Sequence, residues 1–217
     1  MIYLIGGPPK CGKTTLAKKF SRFMDVPWLS TDALQSVVES YLTAKELKKM
    51  FPWSAVRKET NRINDNLYNN YTFQEIIKLY RIAARSTFKA VDAVVASKIA
   101  DGIDYILEGL HIEPQMVQKF VEKYGKENIK AVFLYKSDEK LFVENIQKSE
   151  TFNDWIIERT QDKKAIYPKI AKMTCEYGKI FQKEARQSDF QVFNTDKNFE
   201  KQLKDIIFLL KNANPKI

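Results

Sequence analysis

Short apolar runs alternate along the chain with longer segments of helical periodicity. The runs are rich in branched and aromatic residues, which is typical of buried strands, and they lie at 2–5, 26–30, 104–108, 129–135 and 190–193. Between them, apolar residues recur at helical spacing, most extensively over 72–100. Strands that alternate with helices predict an α/β fold, in which a parallel sheet carries helices on both faces.

Polar and helix-breaking residues indicate where individual helices begin or bend. Thr31 or Asp32 is expected to cap the helix that follows the second strand, because short polar side chains accept hydrogen bonds from free backbone N–H groups. Pro168 and Gly178 are expected points of interruption in the helix over 166–186. No linker, internal repeat or low-complexity segment divides the sequence, so we predict a single domain over residues 1–217.

Three of the seven glycines lie within the first twelve residues. They belong to a segment that matches the phosphate-loop pattern G-x-x-x-x-G-K-[ST] and stands between an apolar strand and a helix, Gly7-Pro8-Pro9-Lys10-Cys11-Gly12-Lys13-Thr14. Glycine lets backbone N–H groups approach phosphate oxygens without a Cβ clash, and the helix N-terminus adds donors. The segment therefore predicts a site for the phosphates of a nucleotide and for Mg²⁺.

The phosphate loop assigns a role to each of its polar residues. Lys13 is expected to bridge the β- and γ-phosphates and to act in catalysis, and the Thr14 hydroxyl is expected to hold Mg²⁺. Cys11 is expected to be a small loop filler. The predicted nucleotide contacts come from Gly7, Pro8, Lys10, Cys11, Gly12, Lys13, Thr14 and Thr15.

Ligands of a parallel sheet bind beyond the carboxyl ends of its strands, and this rule selects further polar residues. Asp32 follows the second strand, where its carboxylate either accepts the proton of an acceptor hydroxyl or caps a helix. Glu108 ends an apolar strand and is expected to face a ligand, a Mg²⁺-bound water or a basic side chain. His111 comes three residues later, and it is either a substrate contact or a structural residue. The end of the fifth strand, Asn194-Thr195-Asp196, lies at the same edge.

These motifs together resemble the 2-phosphoglycerate kinase-like family. The resemblance covers about residues 1–150, and it is carried by the phosphate loop, by Ser30-Thr31-Asp32 and by Glu108-Gly109-Leu110-His111 with Pro114, which has the spacing E-G-x-H-x-x-P. A wider group of adenylate, gluconate and polynucleotide kinases and zeta-type toxins shares the loop and the acid after the second strand. The resemblance implies a three-layer P-loop NTPase fold with strand order 2-3-1-4-5, a Mg-ATP donor, Asp32 as the base that activates a hydroxyl, and Glu108 and His111 at the acceptor site.

Two segments are expected to serve the acceptor and the transferred phosphate. The helical region 33–103 is too long for a plain crossover connection, so we predict that it binds the acceptor. Its candidate ligands for an anionic acceptor are Arg57, Arg62, Arg81 and Arg85. The segment 149–165 is predicted to form a lid, in which Arg159 stabilises charge on the γ-phosphate.

Composition narrows the class of protein and of partner. With 36 basic and 27 acidic residues, the net charge is +9, which favours anionic partners. Two distant cysteines and one histidine exclude a disulfide scaffold and a structural zinc site. No apolar run approaches the roughly 18 residues that a membrane span needs, and the start of the chain does not read as a signal peptide, so we expect a cytoplasmic protein without a membrane partner.

The sequence therefore predicts a kinase for a hydroxyl of a small anionic metabolite, and two alternatives stay open. The first is a kinase for a polynucleotide 5′-hydroxyl or, like the zeta toxins, for a nucleotide sugar. The aromatic and basic stretch 53–71 permits nucleic acid, but no nucleic-acid-binding module is legible, so this partner is not favoured. The second is a non-catalytic, ATP-dependent binding module. The sequence does not indicate an oligomeric state.

Overall fold

The computed structural model describes residues 1–149 and 154–212. Within them, five parallel strands form one sheet in the order β2-β3-β1-β4-β5. The strands are β1 (Ile2–Gly6), β2 (Trp28–Ser30), β3 (Tyr105–Gly109), β4 (Ile129–Tyr135) and β5 (Gln191–Asn194). Both the α/β class and the strand order predicted from the sequence are confirmed.

Helices cover both faces of the sheet and fill the long connection between β2 and β3. The helices of the described residues are α1 (Lys13–Met24), α2 (Thr31–Ser40), α3 (Ala44–Met50), α4 (Pro52–Glu59), α5 (Asn64–Asn70), α6 (Phe73–Ala100), α7 (Pro114–Tyr124), α8 (Glu139–Gln147), α9 (Trp155–Glu158), α10 (Lys163–Gln187) and α11 (Phe199–Asn212). None of them is both long and apolar enough to cross a membrane.

Alternation along the central strand divides the core between the two faces. Ile2 and Leu4 belong to the cluster that contains residues of α6, α7 and α10, whereas Tyr3 and Ile5 belong to the cluster that contains residues of α1 and α11. Every residue of β1 is buried, because both faces of this strand are covered. Burying an aliphatic side chain of this size contributes about 1.5–3 kcal/mol, so the strand that carries the phosphate loop is firmly anchored.

The connection between β2 and β3 contains five helices, α2 to α6. Its longest helix, α6, begins at a capping box in which the Thr72 side chain accepts from the Glu75 backbone N–H, and the Glu75 carboxylate accepts from the Thr72 backbone N–H. This helix packs against α2, α4 and α10. The aromatic and basic stretch 53–71 therefore lies in α4, α5 and the turn between them, beside the helix that precedes β3.

Two expectations about helix boundaries are wrong. The N-cap of α2 is Ser30, whose Oγ accepts from the Asp32 backbone N–H at 3.3 Å, and the helix already begins at Thr31. The helix α10 continues through Pro168 and Gly178 without interruption. A Cβ at Gly178 would overlap the Lys136 carbonyl, so this glycine allows α10 to approach the end of β4 rather than ending the helix.

Candidate active site

The phosphate loop leaves β1 and enters α1 through two glycines in unusual conformations. Gly7 has a φ of +142° and Gly12 a φ of +93°. A Cβ at Gly7 would overlap the Leu134 carbonyl, and one at Gly12 would overlap the Phe199 ring. Gly12 is the N-cap of α1 and has no side chain that could bond the first-turn amides. These amides thus point out of the helix N-terminus, where an anion is stabilised.

Lys13 lies folded over this loop. It is buried, and its Nζ donates to the Pro8 carbonyl at 2.7 Å. Among the described residues no carboxylate forms an ion pair with this ammonium group, although Glu108 is near enough for Lys13 to oppose the rise in its pKa that burial causes. A buried ammonium group without a direct counter-ion suits a position that binds an anion. The loop is held from behind by Thr195, whose Oγ1 donates to the Cys11 carbonyl at 3.0 Å.

Of the two other loop residues with predicted roles, Cys11 is buried and Lys10 is ion-paired. Burial raises the pKa of the Cys11 thiol to about 11, so the group stays neutral and serves as a filler. Lys10 pairs with Asp154, with 2.5 Å between Nζ and Oδ2. Asp154 is only 4% exposed and also caps α9 by accepting from the Ile156 backbone N–H. This ion pair joins the phosphate loop to the predicted lid.

Strand register brings Glu108 to the phosphate loop. Glu108 pairs with Ile5 of β1 on one side and with Ser30 of β2 on the other. It is 3% exposed, and its Oε1 accepts from the Thr14 hydroxyl at 3.1 Å. Burial raises the pKa of Glu108, while Lys13 and the hydrogen bond from Thr14 act to lower it.

The oxygen donors at this position suit Mg²⁺. Mg²⁺ prefers one or two protein oxygens together with waters and substrate phosphates, rather than a cage of protein ligands. The Thr14 hydroxyl and the Glu108 carboxylate provide such a set. The described residues contain no group of three or more His, Cys, Asp or Glu side chains that could hold a metal ion by themselves.

His111 is held neutral inside a chain of hydrogen bonds. Gln35 Nε2 donates to Glu39 Oε1 at 2.5 Å, so the Gln35 oxygen faces His111 and accepts from its Nε2–H at 2.6 Å. His111 Nδ1 then accepts from the Thr31 hydroxyl at 2.8 Å. Burial lowers the pKa of His111 to about 4. With both ring nitrogens engaged, His111 orients the start of α2.

Asp32 lies beside His111, and its carboxylate is exposed to solvent. Its side chain is 71% exposed, and its Oδ1 lies 3.6 Å from His111 Nδ1. Because Nδ1 already accepts from Thr31, it has no proton to offer the carboxylate. Ser30, not Asp32, caps the helix, so the Asp32 carboxylate is not used to cap α2. A Cβ at Gly109 would overlap Thr31 Oγ1, and this glycine therefore lets the end of β3 approach α2 closely.

The structure separates the predicted arginines into two groups. Arg81 forms ion pairs with Glu113, at 3.1 Å, and with Glu184, at 2.9 Å. Burial acts to lower the pKa of Arg81, but Glu113 and Glu184 raise it overall. Arg85 lies one helical turn further along α6. Burial raises the pKa of Glu113, and the charges of Arg81 and Arg85 act against this. Both arginines thus lie near the same buried acid.

Arg57, Arg62 and Arg159 form the second group. Arg57 is buried in α4, whereas Arg62 and Arg159 are exposed and line one cleft of about 210 Å³. The predicted lid over 149–165 contains Arg159 and the ion-paired Asp154. Its residues 150–153 lie outside the described residues.

Three contacts of this site carry no signal in the sequence. Asp154 pairs with Lys10, which is more than half of the chain away in sequence. Gln35 belongs to no motif, and only the fold shows that it contacts His111. Thr195 belongs to the strand end that the carboxyl-edge rule selects, but its contact with the phosphate loop follows only from the strand order.

Two curated relatives resemble this chain in sequence. It is 25% identical over 142 residues to a 2-phosphoglycerate kinase of Methanothermobacter thermautotrophicus, with 65% of this chain and 44% of that protein aligned. It is 27% identical over 123 residues to a mevalonate-3-phosphate 5-kinase of Thermoplasma acidophilum, with 56% of each aligned. The chain thus spans about half the length of these relatives. No family model matches it.

Solved structures show the same fold. A shikimate kinase from Bacteroides thetaiotaomicron superposes with a TM-score of 0.50 and 16% identity, and the superposition covers 97% of this chain and 96% of that one. In fold and in its sequence relatives, the chain is similar to the P-loop small-molecule kinases, and the resemblance predicted from its motifs is confirmed.

Proposed function

We propose that the protein is a Mg-ATP-dependent kinase that transfers the γ-phosphate to a hydroxyl group of a small anionic metabolite, similar to 2-phosphoglycerate. The observation that carries this proposal is the convergence of Lys13, Thr14, Glu108 and Asp32. These residues lie at or beyond the carboxyl ends of three neighbouring strands, and Thr14 and Glu108 are in direct contact. A phosphate cradle next to an exposed carboxylate is what phosphoryl transfer to a hydroxyl requires.

The nucleotide side of the site consists of the phosphate loop and the start of α1. The amides beyond Gly12 and the Lys13 ammonium group bind and orient the β- and γ-phosphates. Thr14 and Glu108 would hold Mg²⁺, which would neutralise charge on the phosphate oxygens when bound. Pro8, Lys10, Cys11 and Thr15 complete the loop around the phosphates in this proposal.

On the acceptor side, Asp32 takes the proton. Its carboxylate accepts the hydroxyl proton as the acceptor oxygen attacks the γ-phosphorus, and ADP leaves. His111 and Thr31 position the start of α2, and with it Asp32. Phosphoryl transfer depends mainly on positioning and charge stabilisation, so one well-placed base is sufficient.

The predicted lid and helical region complete the proposal. Arg159 neutralises the charge that develops on the transferred phosphoryl group. The ion pair of Lys10 with Asp154 keeps the lid near the phosphate loop. The helices over 33–103 surround the acceptor and exclude water.

The acceptor that we propose already carries a phosphate. Both curated relatives are named for such substrates, 2-phosphoglycerate and mevalonate-3-phosphate. Arg57 and Arg62 of the helical region and the net charge of +9 favour an anionic acceptor over a neutral sugar.

An acceptor screen with a matched pair of variants tests the proposal. ADP release would be measured with 2-phosphoglycerate, mevalonate phosphates, shikimate, gluconate, a nucleotide sugar and a 5′-hydroxyl oligonucleotide. We expect turnover with a phosphorylated small molecule. Asp32→Asn should lower kcat by about 10²–10⁴-fold and leave Mg-ATP affinity unchanged, whereas the exposed Asp25→Asn should change neither.

Three results would contradict parts of this proposal. Turnover of the oligonucleotide or the nucleotide sugar in place of the metabolites would favour the alternative kinases. Nucleotide binding without turnover of any acceptor would favour a binding module. Wild-type kcat in Asp32→Asn would remove Asp32 as the base.

A further inference from the structure

Arg57 is a buried cation without an acidic partner. The residue is only 8% exposed, and among the described residues no carboxylate oxygen forms an ion pair with its guanidinium. Its hydrogen-bond partners are neutral, since Nη1 donates to Asn64 Oδ1 at 3.2 Å and Nη2 to the Arg62 carbonyl at 2.5 Å. The guanidinium carbon lies 5.6 Å from the centre of the Trp53 ring.

The charges around Arg57 add to the excess of positive charge at this position. Burial lowers the pKa of Arg57, the Tyr80 phenol acts against it, and the positive charges of Arg159 and Arg62 lower it further. An arginine side chain nevertheless remains protonated in proteins. Buried charges in folded proteins are normally paired, so a buried guanidinium with two further cations beside it indicates a position for an anion.

Tyr68 provides a second, independent observation. Its ring is buried, and its hydroxyl has no hydrogen-bond partner among the described residues. The hydroxyl is also close enough to Arg57 for the guanidinium to lower the pKa that burial raises. Tyr68 also lies one helical turn after Asn64 on α5, and Asn64 accepts from Arg57, so this buried donor without an acceptor is on the face of α5 that meets the buried cation. One negatively charged oxygen would satisfy both groups.

This cluster lies on the acceptor side of the site. Ser54 of α4 donates to Glu39 Oε1 of α2, and both helices pack on α6, so the helix that carries Arg57 contacts the helix that carries Asp32. Burial raises the pKa of Tyr80 on α6, and Arg57 acts against this while Asp32 adds to it. On the other side, Asn64 fixes the lid to the cluster. Its backbone N–H donates to the Arg159 carbonyl at 2.7 Å, and its side chain donates to Thr160 Oγ1 at 3.0 Å.

We propose that Arg57, Arg62, Arg159 and Tyr68 form a subsite for a phosphate monoester, the charged group of the acceptor whose hydroxyl meets Asp32. This inference rests on the proposed function, because it describes the acceptor side of the same site. Guanidinium groups bind phosphate oxygens in pairs, and three of them match a dianion better than a single carboxylate. Arg81 is not part of the subsite, since Glu113 and Glu184 already neutralise it.

Arg62 and Arg159 line a cleft beside this cluster, and Arg57 is joined to the cleft by its hydrogen bond to the Arg62 carbonyl. The exposed Glu158 lines the cleft as well, which disfavours a second negative group there. The buried Arg57 and Tyr68 therefore determine specificity, and the exposed arginines add attraction at the entrance.

Calorimetric titration of three variants tests the subsite. The protein would first be saturated with Mg²⁺ and a non-hydrolysable ATP analogue, so that the phosphate loop cannot bind the probe. The probes are inorganic phosphate, 2-phosphoglycerate and, as the matched ligand without phosphate, glycerate. Arg57→Gln should weaken binding of both phosphate probes by about tenfold or more, and leave the affinity for glycerate and for the ATP analogue unchanged.

Two further variants keep the test decisive. Tyr68→Phe removes a hydroxyl that has no partner, so it should fold at least as stably as the wild type and weaken phosphate binding by about two- to fivefold. If Arg57→Gln fails to fold, Tyr68→Phe decides. The exposed Arg186→Gln is the control for loss of one positive charge, and it should bind the probes like the wild type.

The outcomes distinguish this inference from the proposed function. Wild-type protein that binds neither phosphate probe, or unchanged phosphate affinity in the variants that fold, would overturn the subsite even if the protein is a kinase. Phosphate binding that depends on Arg57 and Tyr68, without turnover of any acceptor, would support the subsite and refute the kinase.

Discussion

His111→Gln should flatten the dependence of folding stability on pH between neutral and mildly acidic conditions. Burial lowers the pKa of His111 to about 4, Asp32 acts against this and Lys13 reinforces it. In an unfolded chain, the same group titrates near about 6.5. The unfolded state therefore takes up a proton at a higher pH than the folded state, and stability falls as the pH drops from the unfolded pKa towards the folded one.

The size of this effect follows from the two pKa values. A difference of about 2.5 units corresponds to about 3 kcal/mol when the pH lies below both values. A change from about pH 7 to about pH 5 covers only the upper part of the interval between the two pKa values, so the free energy of unfolding falls by about 2 kcal/mol. Burial raises the pKa of Glu108 and so acts in the opposite direction, but this group is present in both proteins and its effect cancels in the comparison.

Urea unfolding followed by tryptophan fluorescence would measure the effect. The wild type should lose about 2 kcal/mol more than His111→Gln between about pH 7 and about pH 5. Glutamine is the suitable replacement because its amide can accept from Thr31 and donate to Gln35, as the neutral ring does. Equal losses in the two proteins would show that His111 is not held neutral, and the hydrogen-bond chain proposed to position Asp32 would then be wrong.

Further predictions concern the loop, the lid and a helix start. Gly12→Ala should lower the free energy of unfolding by about 1–3 kcal/mol, because the new Cβ meets the Phe199 ring at a positive φ, and unchanged urea midpoints would contradict this. Lys10→Met leaves the buried Asp154 unpaired and should cost about 2–3 kcal/mol, and adding Asp154→Asn should recover part of the loss in a double-mutant cycle. Thr72→Ala removes the cap of α6 and should cost about 1 kcal/mol by the same measurement.

The sequence predicts the sheet and the phosphate loop well because both depend on local patterns. Apolar runs between turns indicate strands directly, and β4 begins and ends at the predicted residues, 129 and 135. Local patterns do not identify the cap of α2, since Ser30, Thr31 and Asp32 are all good capping residues. Ser30 is the cap because its pairing with Glu108 of β3 holds its backbone extended. This pairing joins residues that are far apart in sequence.

Burial of charged groups is the part that the sequence does not reveal. Arg57 and Arg81 look alike along the chain, since both belong to polar helical segments. Only the fold shows that Arg81 meets two carboxylates, whereas Arg57 meets neutral oxygens and other arginines. Such differences arise from which helices pack together, and they decide which cation can still bind a ligand.

Calorimetric titration with a Mg²⁺ complex of a non-hydrolysable ATP analogue tests the central claim most directly. The account predicts saturable binding to the wild type, a loss of about tenfold or more in Lys13→Ala, and wild-type affinity in Lys18→Ala, which changes an exposed lysine of the same helix. Absence of binding to the wild type, or equal affinity in the two lysine variants, would contradict a nucleotide site at the phosphate loop.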